Sequence, residues 1–155
     1  MGDKKNILVT GGTGFLGAHL LFHLTLEGKK VKALKRPSSS NTLAIKIFGY
    51  YRPFSQTQWE LIEWIDGDIL DILSLQQAFE GVDQLYHAAA IVSFQGNNKA
   101  QIKRINQEGT ANVVNISLEK NIEKLLFVSS IGTLGRAERT EQVTEDTFWN
   151  NKKTS

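Results

Sequence analysis

The chain has 155 residues, which is enough for one domain with a single hydrophobic core. Its 18 Lys and Arg residues nearly balance its 16 Asp and Glu residues, and no run of like charge offers the concentrated basic face that nucleic-acid binding needs. The lack of cysteine excludes disulfides, thiolate metal sites and a cysteine nucleophile, and no apolar run approaches the roughly 18 residues of a membrane span. No secretory apolar segment follows Met1, so we expect a cytoplasmic protein.

The first half of the chain alternates between short strand-like runs and helical stretches. Residues 7–9 form an apolar run that predicts a first strand ending in a glycine-rich turn. A helix is predicted from about residue 14 to residue 28, with one apolar face marked by Leu16, Leu20 and Leu24. A second strand over 31–34 precedes an irregular stretch to about residue 59, with a short helix near 43–48.

The second half continues the alternation. A third strand is predicted over 61–65, and Ser74 is the predicted cap of a short helix that ends near Phe79. A fourth strand over 83–87, a long helix over 99–118 and a fifth strand over 125–129 follow, and the sequence turns polar from Arg136. Strands that alternate with helices favour a parallel sheet covered on both faces, so the pattern predicts an open, doubly wound α/β fold.

The segment TGGTGFLG lies between the first strand and the first helix. Gly11 permits a tight turn out of the strand, Gly14 lets the backbone approach a pyrophosphate, and Gly17 lets the helix pack closely on the sheet. The backbone N–H groups near Phe15 and Leu16 then face the phosphates together with the positive end of the helix. This context predicts a dinucleotide-binding site.

The same segment resembles the opening of the extended short-chain dehydrogenase/reductase family, which includes NAD(P)-dependent epimerases and dehydratases and dihydroflavonol-reductase-like enzymes. Four later motifs are similar to that family in the same order: GDILD at 67–71, HAAA at 87–90, NQEGT at 106–110 and FVSS at 127–130. The resemblance implies a Rossmann-type sheet with strand order 3-2-1-4-5.

The resemblance also assigns further cofactor-binding residues. Asp68 with Ile69 would meet the adenine, and the end of the fourth strand would lie against the cofactor ribose. The remaining candidates from these motifs are Ala88, Ala89, Ala90 and Asn106.

Arg36 indicates which dinucleotide binds. It lies 19 residues after Gly17, at the place where an acidic residue would bond a free ribose 2′-OH and an arginine would suit a 2′-phosphate. No Asp or Glu occurs between Glu27 and Glu60. We therefore expect NADP to be preferred, with NAD as the alternative; a solvated basic pair at a strand end is the competing interpretation.

Ser130 is the candidate catalytic residue, because residues 129–135 match the SSxxxxG pattern of the family, with Ser129 and Thr133 as alternatives. The family pairs such a serine with a YxxxK motif, in which the tyrosine is the general acid and base. Residues 144–149 resemble the stretch just before that motif, and the chain ends where the tyrosine would follow. No YxxxK occurs: four places after Tyr50, Tyr51 and Tyr86 stand Phe54, Ser55 and Ala90.

The expected organisation is an NAD(P)-binding domain over residues 1–135 and a polar tail over 136–155, in a chain truncated before the later strands and the catalytic helix. The full-length protein is expected to be an oxidoreductase or epimerase that acts on a small carbonyl or hydroxyl substrate, and to form a homodimer. This chain alone is expected to bind cofactor without activity. The alternative from another class is a non-catalytic dinucleotide-binding sensor.

Two other signals are given structural interpretations. His19 and His23 are one helical turn apart, but they lack the glutamate of HExxH and a third ligand, so no metal site is expected. The aromatic residues between Phe48 and Trp59 are expected to belong to a loop packed over the sheet, and not to a nucleic-acid stacking surface, since few basic residues lie near them.

Overall fold

A computed structural model describes residues 5–51, 56–92, 99–134 and 142–147. Five parallel strands form one sheet in the order β3-β2-β1-β4-β5, which confirms the predicted Rossmann-type topology. The strands are β1 (Ile7–Thr10), β2 (Val31–Lys35), β3 (Ile62–Asp66), β4 (Gln84–His87) and β5 (Lys124–Phe127). The helices are α1 (Phe15–Leu26), α2 (Thr42–Tyr51), α3 (Gln56–Trp59), α4 (Ile72–Ala78), α5 (Lys99–Lys103) and α6 (Thr110–Glu119).

The central strand β1 lies between β2 and β4, with Ile7 in register with both Val31 and Gln84. The chain reaches β2 and β3 on one side of β1 and β4 and β5 on the other, so the strand order reverses between β1 and β4. In parallel sheets of this kind, ligands bind beyond the carboxyl ends of the strands at that reversal point.

The hydrophobic core lies on both faces of the sheet because alternate residues of each strand point to opposite sides. Leu8 of β1 packs in the cluster that contains α4 and α6, whereas Val9 packs in the cluster that contains α1. The α4 and α6 side is formed mainly by Leu75, Phe79, Leu85, Val113 and Ile116, and the α1 side by Leu21, Phe22, Ala33 and Phe48.

The buried face of α1 differs from the prediction. Leu24 is buried, but Leu20 is only partly buried and Leu16 is 51% exposed. The buried residues of α1 are Gly17, Ala18, Leu21, Phe22, Leu24 and Thr25. Helix α1 carries apolar residues on most of its circumference, so the leucines alone do not mark its buried side.

The stretch after β2 is more helical than predicted. Helix α2 covers Thr42–Tyr51, where a shorter helix was expected, and α3 follows it. Two of its aromatic residues pack against α1 instead of forming a loop over the sheet: the Phe48 ring meets the Phe22 ring edge-on, and the Tyr51 ring stacks on Phe22 with centroids 4.2 Å apart. The Trp59 ring meets the Phe48 ring edge-on, Tyr50 is exposed, and Phe54 lies outside the described residues.

Three further features differ from the prediction: the cap of α4, the form of the long helix and the end of β5. The Asp71 carboxylate, and not Ser74, caps α4 by accepting a hydrogen bond from the Leu73 N–H, while the Ser74 hydroxyl lies inside the first turn and donates to the Asp71 carbonyl. The long helix has a π-helical segment, Arg104–Gly109, between α5 and α6. Strand β5 ends at Phe127, so Ser129 follows the strand.

In the part of the chain that the structure describes, none of the helices is long and apolar enough to cross a lipid bilayer.

Candidate functional site

A cleft of about 220 Å³ opens at the carboxyl edge of the sheet, at the reversal point between β1 and β4. Its walls come from the glycine loop after β1 and from the segments that follow β2, β3 and β4, with Ile105 of the π-helical segment. Eight of the predicted cofactor-binding residues line it: Gly11, Gly14, Arg36, Asp68, Ile69, Ala88, Ala89 and Ala90.

The glycine loop turns tightly into α1. The Gly14 N–H donates to the Gly11 carbonyl at 2.9 Å, and the first bond of the helix runs from the Ala18 N–H to the Gly14 carbonyl. The N–H groups of residues 15–17 precede that bond, so the helix itself supplies them with no carbonyl. Such N–H groups at the positive end of a helix form an anion site, which is the role predicted for Phe15 and Leu16.

Gly11 brings the loop against the end of β4. Its φ of +76° is in the left-handed region, and a β-carbon there would lie 2.6 Å from the Ala89 nitrogen and 2.7 Å from the Ala88 carbonyl carbon. Only glycine fits both the backbone conformation and the space.

The glycine loop, and not the sheet, leaves no room for a side chain at Gly17. A β-carbon at Gly17 would lie 2.1 Å from the Gly11 carbonyl oxygen and 3.0 Å from the Gly12 α-carbon. Gly12, which the motif did not single out, is also confined, because its β-carbon would lie 2.8 Å from the Leu21 side chain. The first turn of α1 therefore rests directly on the glycine loop.

Arg36 lies at the end of β2 with its side chain exposed at the cleft. The neighbouring Lys35 ammonium forms an ion pair with the Asp66 carboxylate at 2.6 Å, so two of the charges at this edge neutralise each other. A turn in which the Ser39 N–H donates to the Arg36 carbonyl at 2.8 Å places Ser39 in the cleft wall as well. Sequence reasoning missed Ser39, because a serine in a polar loop gives no distinctive signal.

Asp68 lies in the turn after β3. One oxygen of its carboxylate accepts a hydrogen bond from the Leu70 N–H at 2.9 Å, and its backbone N–H donates to the Ser74 hydroxyl at 3.1 Å. These bonds fix the turn that carries Asp68 and Ile69 into the cleft.

His87 has an internal role that the motif did not predict. Its ring is 1% exposed and is hydrogen-bonded at both nitrogens, through Nδ1 to the Thr10 hydroxyl at 2.6 Å and through Nε2 to the Thr110 hydroxyl at 3.0 Å. Burial lowers the pKa of His87 to about 4. The imidazole is therefore neutral at pH 7 and joins β1, β4 and α6 behind the cleft, while the alanines after it form the cleft wall.

Asn106 lies in the π-helical segment with its amide turned to the backbone of Ile91. Its Oδ1 accepts from the Ile91 N–H and its Nδ2 donates to the Ile91 carbonyl, both at 2.9 Å. The structure thus brings Asn106 to the segment after β4, where Ile91 lines the cleft.

Ser130 follows β5, next to the end of β4, where the Val128 N–H donates to the His87 carbonyl at 3.0 Å. The exposed Ser130 hydroxyl accepts from the Gly132 N–H at 3.1 Å, which leaves its own proton available to a substrate oxygen. Thr133 donates to the Ser130 carbonyl at 2.6 Å, and its hydroxyl lies 3.3 Å from that of Ser129. The catalytic role of Ser130 stays a prediction, as do the cofactor contacts.

His19 and His23 pack with aromatic rings. The His19 Nδ1 is hydrogen-bonded to the Tyr51 hydroxyl at 2.6 Å, and both imidazoles meet the Tyr51 ring edge-on. Within the described ranges, no three His, Asp or Glu side chains are grouped to hold a metal ion.

Comparison with known proteins identifies a family that matches most of the chain. Residues 7–154 match the model of the NAD dependent epimerase/dehydratase family. The chain is 35% identical over 127 residues to a Synechocystis sp. protein named "Putative dihydroflavonol 4-reductase", with 82% of this chain and 33% of that protein covered. It is 28% identical over 152 residues to cinnamoyl-CoA reductase 1 of Oryza sativa subsp. japonica, with 96% of this chain and 41% of that protein covered.

Solved structures show the same fold. The crystal structure of gox2253 superposes with a TM-score of 0.73 at 29% identity, covering 88% of this chain and 38% of that one. The UDP-glucose-4-epimerase of Stenotrophomonas maltophila, solved with bound NAD, superposes with a TM-score of 0.75 at 22% identity, covering 94% and 43%. The chain thus spans about a third to two fifths of the length of the curated relatives named above.

The close packing at Gly17 predicts that one added methyl group there lowers the stability of the fold strongly. We expect Gly17→Ala to lower the free energy of unfolding by about 1–3 kcal/mol or more, because the β-carbon would overlap the Gly11 carbonyl. Urea denaturation measures the change. The matched control is Gly49→Ala in α2, where a β-carbon meets nothing within 4 Å, so that a helix former should be neutral or stabilising. Equal stability of the two variants would contradict the close contact.

The buried His87 predicts a loss of stability in acid. Because the unfolded imidazole binds a proton near pH 6.5 and the folded one only near pH 4, the free energy of unfolding should fall as the pH drops through this window. The limit of the fall is about 3 kcal/mol. Histidine NMR titration and urea denaturation between pH 7 and pH 4 measure both quantities.

The control for this acid effect is the exposed His23. His23→Gln should keep the fall in stability, whereas His87→Gln should remove it. A His87 imidazole that takes up its proton near pH 6.5 in the folded protein would contradict the burial argument.

Proposed function

This chain belongs to the NAD dependent epimerase/dehydratase family, and we propose that it holds NADP(H) in the cleft as the cofactor-binding part of a carbonyl reductase. The observation that carries the proposal is that the exposed Arg36 lines the same cleft as the glycine loop that leads into the N-terminus of α1. Two separate features of the cleft therefore attract anions, as an NADP molecule with its pyrophosphate and 2′-phosphate requires.

The glycine cradle fits a dinucleotide. Gly11 and Gly14 leave backbone and not side chains at the cleft surface, and the N–H groups of residues 15–17 are free of helix bonds, so a pyrophosphate could approach closely. Asp68 and Ile69 would contact the adenine, and Ala88 to Ala90 would lie along the ribose.

Arg36 favours a 2′-phosphate over a 2′-hydroxyl. A guanidinium holds a phosphate through two parallel charge-assisted hydrogen bonds, while a ribose hydroxyl is better held by a carboxylate acceptor. The carboxylate nearest in register, Asp66 beside Lys35, is already paired with the Lys35 ammonium. Ser39 on the same turn could add a hydroxyl donor.

In the full-length protein, the bound nicotinamide would supply or accept a hydride at a carbonyl or hydroxyl carbon of a small substrate. Ser130 would hold the reacting oxygen through its hydroxyl proton, since its oxygen already accepts the Gly132 N–H. The proton donor would be a tyrosine outside this sequence, which contains no YxxxK. We therefore propose that this chain by itself binds the dinucleotide and does not turn over a substrate.

The names of two curated relatives favour a reductase over an epimerase. The matches named a dihydroflavonol 4-reductase and a cinnamoyl-CoA reductase are proteins of the reductase type, at 35% and 28% identity. The substrate we propose is accordingly a small molecule with a carbonyl group.

Arg36 supplies the test of the cofactor. We expect Arg36→Ala to weaken NADPH binding by roughly tenfold or more and to change NADH binding by less than about twofold, because only the 2′-phosphate loses its partner. Isothermal titration of both cofactors measures the two dissociation constants.

The control is Lys29→Ala, which removes the same unit of charge after the far end of α1, where Lys29 pairs with Glu27. It should leave both constants unchanged. An unchanged ratio of NADPH to NADH affinity in Arg36→Ala would overturn the assignment of NADP.

A further inference from the structure

The segment of residues 88–91, here called the β4 exit segment, forms one whole wall of the cleft. Its first residue is fixed by the sheet, since the Ala88 N–H donates to the Thr10 carbonyl at 3.1 Å. The Ala89 N–H also donates to the hydroxyl of Thr10 in β1, at 3.4 Å, and the segment leaves the sheet after this second bond. The course of Ala90 and Ile91, which also line the cleft, therefore depends on what holds the segment at its far end.

Two side chains of the long helix, from its π-helical segment and from α6, hold the β4 exit segment at its two ends. Thr110 at the start of α6 bonds to His87, the residue just before the segment, at 3.0 Å. Asn106, one turn earlier, bonds both the N–H and the carbonyl of Ile91, the last residue of the segment, at 2.9 Å each. A two-bond contact to one residue fixes its orientation as well as its position.

The helical stretch is itself set against the cleft. The π-helical segment Arg104–Gly109 places Ile105 in the cleft wall, and Gly109 so close to Ile69 that a β-carbon there would lie 2.5 Å from it. π-helical turns inside α-helices occur frequently at functional sites. Here the π-helical segment contacts the cleft wall after β3 through Gly109 and the cleft wall after β4 through Asn106.

We propose that Asn106 is a positioning residue for cofactor binding, which acts by fixing the β4 exit segment at Ile91 and not by contacting the dinucleotide. This inference rests on the proposed function for its effect on affinity. Its structural part, that the Asn106 amide orders the segment, holds with or without a bound cofactor. Thr110 supports the same segment from its other end through His87.

The experiment uses this chain with three variants. Asn106→Ala removes both bonds to Ile91, and Thr110→Val removes the bond to His87 with little change of shape. The control, Ser117→Ala, removes a buried bond of the same helix, from the Ser117 hydroxyl to the Val113 carbonyl at 2.7 Å, on a residue away from the cleft. Hydrogen exchange of the Ile91 amide is measured by NMR without ligand, and NADPH affinity by isothermal titration.

In Asn106→Ala we expect the Ile91 amide to exchange at least tenfold faster and the NADPH dissociation constant to rise about fivefold or more. Thr110→Val should change both in the same direction and by less. Ser117→Ala should change neither, even if it lowers the melting temperature. This pattern separates positioning of the segment from a general loss of helix stability.

Unchanged exchange of Ile91 in Asn106→Ala would overturn the proposal, and so would faster exchange with unchanged affinity. If Asn106→Ala fails to fold, Thr110→Val decides by the same two readouts. If the unmodified chain binds neither NADPH nor NADH, the proposed function fails, while the exchange of Ile91 still decides whether Asn106 orders the segment.

Discussion

The backbone of Gly11 lies directly against the backbone of Ala88 and Ala89, and the cleft depends on this contact. It closes the gap between the ends of β1 and β4, the two strands between which the sheet order reverses. The Ala88 N–H donates to the Thr10 carbonyl, and the buried His87 ring bonds the Thr10 hydroxyl just behind it. Any side chain at Gly11 would separate these strand ends and move the glycine loop off the wall that faces it.

On either side of the glycine loop, the site has a position that attracts anions. On one side, α1 starts so close to the loop that Gly17 touches Gly11, and its free N–H groups present positive charge where a pyrophosphate would lie. On the other, the end of β2 exposes Arg36 while Lys35 is paired with Asp66. Two anion-attracting positions at the ends of the neighbouring strands β1 and β2, with an uncharged wall of alanines after β4, match an elongated ligand with two phosphate-bearing parts.

Much of this arrangement could be predicted from the sequence, because it is encoded by local patterns. Glycines at fixed spacing between a strand and a helix specify the loop, and alternating strands and helices specify the parallel sheet. The sequence did not reveal which face of α1 is buried, since its apolar residues surround the helix and only packing selects Ala18 and Leu21. The cap of α4 was misplaced by three residues because Asp71 and Ser74 both suit that position.

Long-range polar contacts were the least predictable part of the site. Nothing local to Asn106 indicates that its partner is Ile91, 15 residues earlier, and nothing local to His87 indicates Thr10 and Thr110. The bonds of Asn106 and Thr110 depend on how the long helix lies over the sheet, which is settled only when the core on that face packs, and the Thr10 bond depends on the pairing of β1 with β4. Eight of the residues that the motifs singled out line the cleft, and the fold determines what each of them touches.

The central claim is that this cleft, formed by the glycine loop and the strand ends, holds the dinucleotide. An NMR titration of the ¹⁵N-labelled chain with NADPH tests it most directly, because the amide of each residue reports separately. The largest shifts are predicted at residues 15–17, at the turn from Arg36 to Ser39 and along the β4 exit segment. Saturable shifts concentrated elsewhere, with these amides unmoved, would contradict the account.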